Sequence, residues 1–129
     1  MEKALRYELA QIFPGVDIFP ATAPVEKKPP FIIYHRESTV WDKTLDGFLQ
    51  GEHINFIINV FGKNYAQMYE MRIALESLIR RMFGQYIGED EDVAVNDISL
   101  GGIADIFEPK LGLYRGVVDF TVHTTAEGI

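Results

Sequence analysis

The sequence predicts an α+β domain: a mainly antiparallel sheet of four to five strands, with one short N-terminal and one long central helix packed on one face. Three observations carry this. Segments come in the order helix, strands, helix, strands, with connections too short for repeated parallel crossovers. The stretch 64–83 repeats its apolar residues at helical spacing, whereas 52–61 and 113–124 alternate with the period of a strand. No internal repeat or change of composition divides the 129 residues, so they read as one domain, 1–129.

Glu2 to Ile12 places Leu5, Leu9 and Ile12 at i, i+4 and i+7, with charges opposite, and Pro14-Gly15 ends this helix. Val16 to Phe19 suits a short strand. Residues 20–30 hold four prolines, which exclude a helix or central strand and predict an extended surface arm. Phe31 to Val40 is β-branched and aromatic, with Ile32, Tyr34, Arg36, Ser38 and Val40 on one face. Trp41 to Gly51 contains the turn pair Asp46-Gly47, and Glu52 to Phe61 follows as a strand. These two strands form a long hairpin with its tip at 41–51.

Asn64 is a suitable N-cap with Gln67 three residues on, and Met68, Met71, Leu75, Leu78 and Met82 make one stripe. Arg80 and Arg81 complement the end of the dipole, and Gly84 stops the helix. Residues 85–92 read as a loop closing on four carboxylates. Val93 to Leu100 is a strand broken at Gly101-Gly102. Ile103 to Phe107 and Leu113 to Thr124 are two more strands, joined by a turn from Pro109 to Gly112.

Composition bounds the function. At this length the surface scaling rule gives roughly 7,000 Å² exposed when folded against about 21,000 Å² unfolded, enough for a core without staples. With 47% hydrophobic and 24% charged residues the chain is globular. A net charge of −7 disfavours sequence-specific nucleic-acid binding, which needs clustered Lys and Arg. No run of 18 apolar residues exists to span a membrane, and the charged amphipathic N-terminus is unlike a signal peptide. The absence of cysteine excludes disulfides, thiolate metal sites and Cys nucleophiles.

The residues offer no site for catalysis, cofactor or metal. Ser38, Ser77 and Ser99 lack a nucleophile elbow, and Gly101-Gly102 lacks the Gly-Lys-Ser/Thr of a phosphate loop. A hairpin centred near residues 46 and 47 puts His35 about 16 Å from His53, too far to share a metal. With His123 they read as three unrelated histidines. Asp42, Asp46 and Glu52 do not have EF-hand spacing. Paired carboxylates exist among 19 acidic residues, but none stands out.

Two regions suit contact with other proteins. The arm brings Lys27 and Lys28, and the hairpin tip brings Trp41, Asp42, Lys43, Leu45 and Phe48, an aromatic and charged mixture of the kind that anchors interfaces. Glu89, Asp90, Glu91 and Asp92 read either as a solvated loop or as a surface that repels DNA in a channel.

The order of segments resembles the small tail-completion or tail-terminator proteins of long-tailed bacteriophages. The matching features are Ala4-Leu5, Ile18-Phe19-Pro20, Pro30 to Tyr34, Leu45-Asp46-Gly47, the strand Ile54 to Phe61 running through Gly62 to Ala66 into the long helix, and Leu113 to Phe120. The run 89–92 has no typical counterpart there. The resemblance implies a non-enzymatic virion protein that caps the tail tube and joins it to the head. It implies a ring, commonly a hexamer, at the head-proximal end, assembled in the host cytoplasm. Its partners would be itself, the tail-tube protein and the head-side connector. Two other readings stay open: another connector or tube-associated subunit of a phage or injection system, and a small-molecule-binding α+β domain.

Overall fold

The computed structural model describes residues 1–44, 47–109 and 112–125. Chain order is α1 (Glu2–Ile12), β1 (Asp17–Pro20), β2 (Phe31–Thr44), β3 (Gly47–Gly62), α2 (Tyr65–Met82), β4 (Tyr86–Ile87), β5 (Val93–Glu108) and β6 (Leu113–Thr125). One six-stranded sheet runs β1-β2-β3-β6-β5-β4. No helix among the described residues is long and apolar enough to cross a membrane.

The inward residues of β3 (Ile54, Phe56, Ile58, Val60) and of β6 (Val118, Phe120, Val122) are fully buried. Leu5 and Leu9 of α1 and the stripe Met68, Met71, Leu75, Leu78 and Met82 of α2 close over them in a single core. Both helices therefore pack on one face, as the periodicity predicts. Thr124, buried among these apolar groups, donates its hydroxyl to the Ala94 carbonyl at 2.5 Å, which removes the cost of an unpaired polar group.

The start of α2 is set by local chemistry. Asn64 Oδ1 accepts from the Gln67 amide at 2.8 Å, and Gln67 Oε1 accepts from the Lys63 amide at 2.8 Å. Gly62, just before, lets α2 lie against β3. A Cβ there would stand 2.6 Å from the Met68 backbone nitrogen, a contact no side chain can relieve by rotating.

Four expectations are corrected. The sheet has six strands and is mixed, because β1 pairs with β2 in parallel, Asp17 with Phe31 through Pro20 with Tyr34. Ten intervening residues, rather than a helix, carry the chain back to the same end, so the crossover left no helical period to read. β4 lies within the predicted loop 85–92. Two residues pairing with Val93 and Ala94 are too short to show alternation.

The strand predicted to break at Gly101-Gly102 is continuous. A bulge between Leu100 and Gly102 absorbs one residue opposite Phe120 and Asp119. Gly101 permits it: a Cβ there would come within 3.1 Å of the Asp119 carboxylate carbon. A second bulge, between Arg36 and Ser38, changes the facing of β2. Thr39 now sits opposite Ile54 on the helix side, and Val40 sits opposite His53 on the other face, not beside Ile32 and Tyr34 as simple alternation predicts.

Candidate functional site

The candidate contact residues fall in three places. Lys27 forms an ion pair with Asp17 of β1. It closes a turn in which its amide donates to the Pro24 carbonyl at 2.9 Å, leaving Val25 98% exposed at the tip. Lys28 is exposed. The arm lines a cleft over the sheet face opposite the helices, above Phe31, Ile33 and Phe61. There the rings of Phe31 and Phe61 stack at 4.4 Å, and Phe19 meets Phe31 edge-on at 6.3 Å.

The second place is the far end of the β2–β3 hairpin. Its ladder continues from Trp41–Glu52 to Thr44–Gly47, beyond Gly51–Thr125, the last β3–β6 pair among the described residues. Val40 and Trp41 at its base are 63% and 61% exposed. Leu45 lies outside the described residues, as do the side chains of Asp42, Lys43 and Phe48.

The third place is the acidic run. Glu89, Asp90, Glu91 and Asp92 form the exposed turn between β4 and β5, with Glu91 at φ 51° and its amide donating to the Gly88 carbonyl at 3.1 Å. The Gly88 amide donates to Glu8 of α1 at 3.2 Å. Glu89, Asp90 and Asp92 line an open cleft with Lys3 and Arg6 of α1, so basic residues of the same chain face part of the acidic turn.

The structure brings together two histidines that sequence reasoning kept apart. His53 of β3 and His123 of β6 are directly opposite, their rings stacked 4.3 Å apart, with Asp97 of β5 the next residue across from His123. The signal was absent from the sequence, because it depends on β3 pairing with β6. His35 lies opposite Ile57, well along the ladder from His53, and contacts Glu37 at 3.1 Å. Among the described residues no group of three or more His, Asp or Glu is placed to hold a metal ion.

Sequence reasoning also missed a trough on the helix side of the sheet, between α2 and β5. On α2, Tyr65, Tyr69 and Ile73 follow one another at i, i+4 and i+8, and Phe83 continues the same side past the helix end. They form a second apolar stripe beside the buried one, and that double stripe was the available signal. On β5, Leu100, Ile103 and Phe107 stand opposite Phe120, Val118 and Tyr114 of β6. These three continue the core face of the sheet beyond the helix that would cover it. All seven are between 39% and 55% exposed. Glu76, Ile79 and Arg80 join Phe83, Ile98 and Leu100 around a groove of about 300 Å³ at one end. At the other end Tyr65 meets Tyr114 at 6.4 Å, and Tyr114 meets Phe107 at 4.8 Å.

An ionic cluster spans the trough floor. Arg72 Nη1 donates to Glu76 Oε2 at 2.7 Å, and Nη2 donates to Asp105 Oδ2 at 3.3 Å. Nε lies 2.7 Å from Asp105 Oδ1, an ionic contact without hydrogen-bond geometry. Burial alone would lower the Arg72 pKa. The hydrogen bond and charge of Asp105, with those of Glu76, outweigh it and hold the pKa above the usual guanidinium value. The cluster fixes α2 to β5 and so sets the width of the trough.

Comparison with known proteins follows from this geometry. No curated protein matches the chain by sequence. Among solved structures, a chain described as "Virion of native gene transfer agent (GTA) particle" superposes with a TM-score of 0.61 at 14% identity, over 92% of this chain and 84% of that one. That likeness shows the fold: two helices on a β-sheet in this order. The sequence profile of the family described as "Tail completion protein gp17" matches residues 3–125, from α1 through the last strand. With nearly the whole chain matched, the protein belongs to the tail completion protein gp17 family, structural proteins of bacteriophage tails.

Proposed function

We propose that the protein caps the tail tube once the tube has reached its length and joins it to the head connector, acting as a non-enzymatic ring of identical subunits, commonly six in this family. The observation that carries the reading is the family match over residues 3–125. The gene transfer agent virion chain of the same fold is consistent with it.

The surface adds a physical reason. A closed cyclic ring needs two different patches per subunit that meet head to tail. Among the described residues nine of the eleven exposed large hydrophobics lie at two separated places, the β2–β3 hairpin base and the α2–β5 trough, with Val25 on the arm and Tyr86 on β4 apart from them. In this reading Lys27, Lys28, Trp41, Asp42, Lys43, Leu45 and Phe48 contact the neighbouring subunit, the tube or the connector. Glu89, Asp90, Glu91 and Asp92 face the channel, where carboxylates keep DNA from adhering. The net charge of −7 suits such a lumen. The subunit occupies the head-proximal end of the tail after assembly in the host cytoplasm.

Electron microscopy of lysates from a phage lacking this gene tests the reading. Full heads separate from completed or overlong tails are expected. Normal joined particles would overturn it.

A further inference from the structure

We propose that the α2–β5 trough is the seat for the base of the β2–β3 hairpin of a second copy of this chain, with Trp41 as the residue it receives. This rests on the ring reading and assigns the acceptor side of its subunit contact.

The first argument is area. Taking ~200 Å² for a fully exposed large side chain, the seven trough residues present about 650 Å². That is close to the ~800 Å² each partner contributes to a stable interface, and above the ~300–600 Å² of the largest patch on a typical monomer.

The second argument is placement. Trp41 sits opposite Glu52, two residues along β3 from the core-facing Ile54, so it stands on the helix side of the sheet, the side on which the trough opens. The trough lies at β5 and Trp41 at β2, with β3 and β6 between them. At ~4.8 Å per strand that is about 14 Å within one subunit, so the two apolar patches occupy opposite flanks of the sheet. A cyclic rotation carries one flank of a subunit onto the other flank of the next.

The third argument is the strand edges. β1 covers β2 only from Phe31 to Tyr34, and β4 covers β5 only at Val93 and Ala94. Both flanks therefore leave a long strand edge open among the described residues. Each edge runs beside the apolar patch that the neighbour must reach. An open edge is a template for a second chain, and here it lets a neighbour approach close enough for side chains to interdigitate.

The chain has no cysteine, which permits a clean cross-linking test. Glu52→Cys lies beside Trp41, and Arg80→Cys lies on the trough wall; both leave the apolar residues in place. The double variant is supplied in lysates of the gene-deleted phage and treated with a short bis-maleimide. A ladder of covalent multimers ending at the ring size is expected, together with head-joined tails in the untreated lysate. Val25→Cys combined with Arg80→Cys gives no ladder.

Joined particles without a ladder from Glu52→Cys/Arg80→Cys would overturn the assignment and leave the tail-completion reading intact. Joined particles in the deletion alone would overturn both. A second measurement uses Trp41→Ala and Leu100→Asp, each verified as folded by circular dichroism. Each is expected to weaken self-association at least ~30-fold, the scale of a central interface residue. Unchanged association in both variants would also overturn the assignment.

Discussion

Replacing Arg72 with methionine isolates what holds the trough together. The Arg72 side chain is 11% exposed, and its partners Glu76 and Asp105 are 12% and 30% exposed. Removing the cation leaves two carboxylates facing each other across the α2–β5 junction with no counter-charge. Breaking a buried ion pair by deleting one partner costs about 3–5 kcal/mol, because the remaining charge stays desolvated. Asp105 has partial access to water, which relieves some of this and brings the expected loss to about 3 kcal/mol. For a domain of this size that lowers Tm by about 10 °C.

Thermal melts followed by circular dichroism, with urea titrations at 25 °C, measure the loss directly. Two companion variants sharpen it. Lys27→Met removes the more exposed pair with Asp17, worth at most about 0.5–1 kcal/mol. Replacing Arg72, Glu76 and Asp105 together by Met, Leu and Leu removes the stranded charges and is expected to recover most of the loss. If Arg72→Met costs no more than Lys27→Met, the cluster does not brace β5 against α2, and the reasoning about the trough floor fails.

Three further outcomes follow from the geometry. Gly62→Ala drives a Cβ to 2.6 Å from the Met68 backbone nitrogen and is expected to cost about 2–3 kcal/mol in urea unfolding, while Gly102→Ala, with open space around it, stays within about 0.5 kcal/mol. Asn64→Ala removes the side-chain acceptor of the Gln67 amide and is expected to cost about 1 kcal/mol by the same measurement. At Glu2, burial would raise the carboxyl pKa, but the Arg36 hydrogen bond, the local backbone amide and the charges of Arg36 and the N-terminus hold it below 4.5. A lowered carboxylate stabilises the fold above its unfolded value and loses that contribution as pH falls through the folded one, so Glu2→Gln is expected to be weaker than the parent at pH 7, by no more than about 0.5 kcal/mol because solvent screens a pair this exposed, and to approach the parent in urea midpoints as pH falls through the folded value.

Much of the architecture was legible because it rests on local periodicity. The stripe Met68 to Met82, the Asn64 cap and the alternation of Ile54 to Val60 each report which side of an element is buried, without knowledge of any neighbour. What was not legible depends on pairing. The parallel seat of β1 on β2 needs the return path of the 20–30 arm. The bulge at Arg36–Ser38 moves Val40 to the opposite face by one residue, and no composition rule announces it. The Gly101 bulge was read as a break because glycine is a weak strand former, yet its close approach to Asp119 is what lets β5 continue.

The trough escaped for a related reason, which bears on what it does. Ile103 and Phe107 share a strand face, but Leu100, three residues before Ile103, joins them only through the bulge at Gly101, and Tyr65, Tyr69 and Ile73 have the spacing of a second buried helix face. The sequence singles out only the Met68 to Met82 stripe as the buried helix face, so neither surface stands out there. The structure leaves them half-covered, because α2 crosses β3 and β6 and does not reach over the far half of β5. Two apolar surfaces that meet at an angle over a buried ionic cluster have the form of an interior completed by another chain. Monomers rarely keep so large an apolar face, since it promotes non-specific association at every encounter. A ring resolves that cost by closure, because each subunit's open flank is filled by the next and none is left over. The core-like chemistry of the two facing surfaces is therefore the physical argument for an assembly in which one subunit's trough receives the flank of the next.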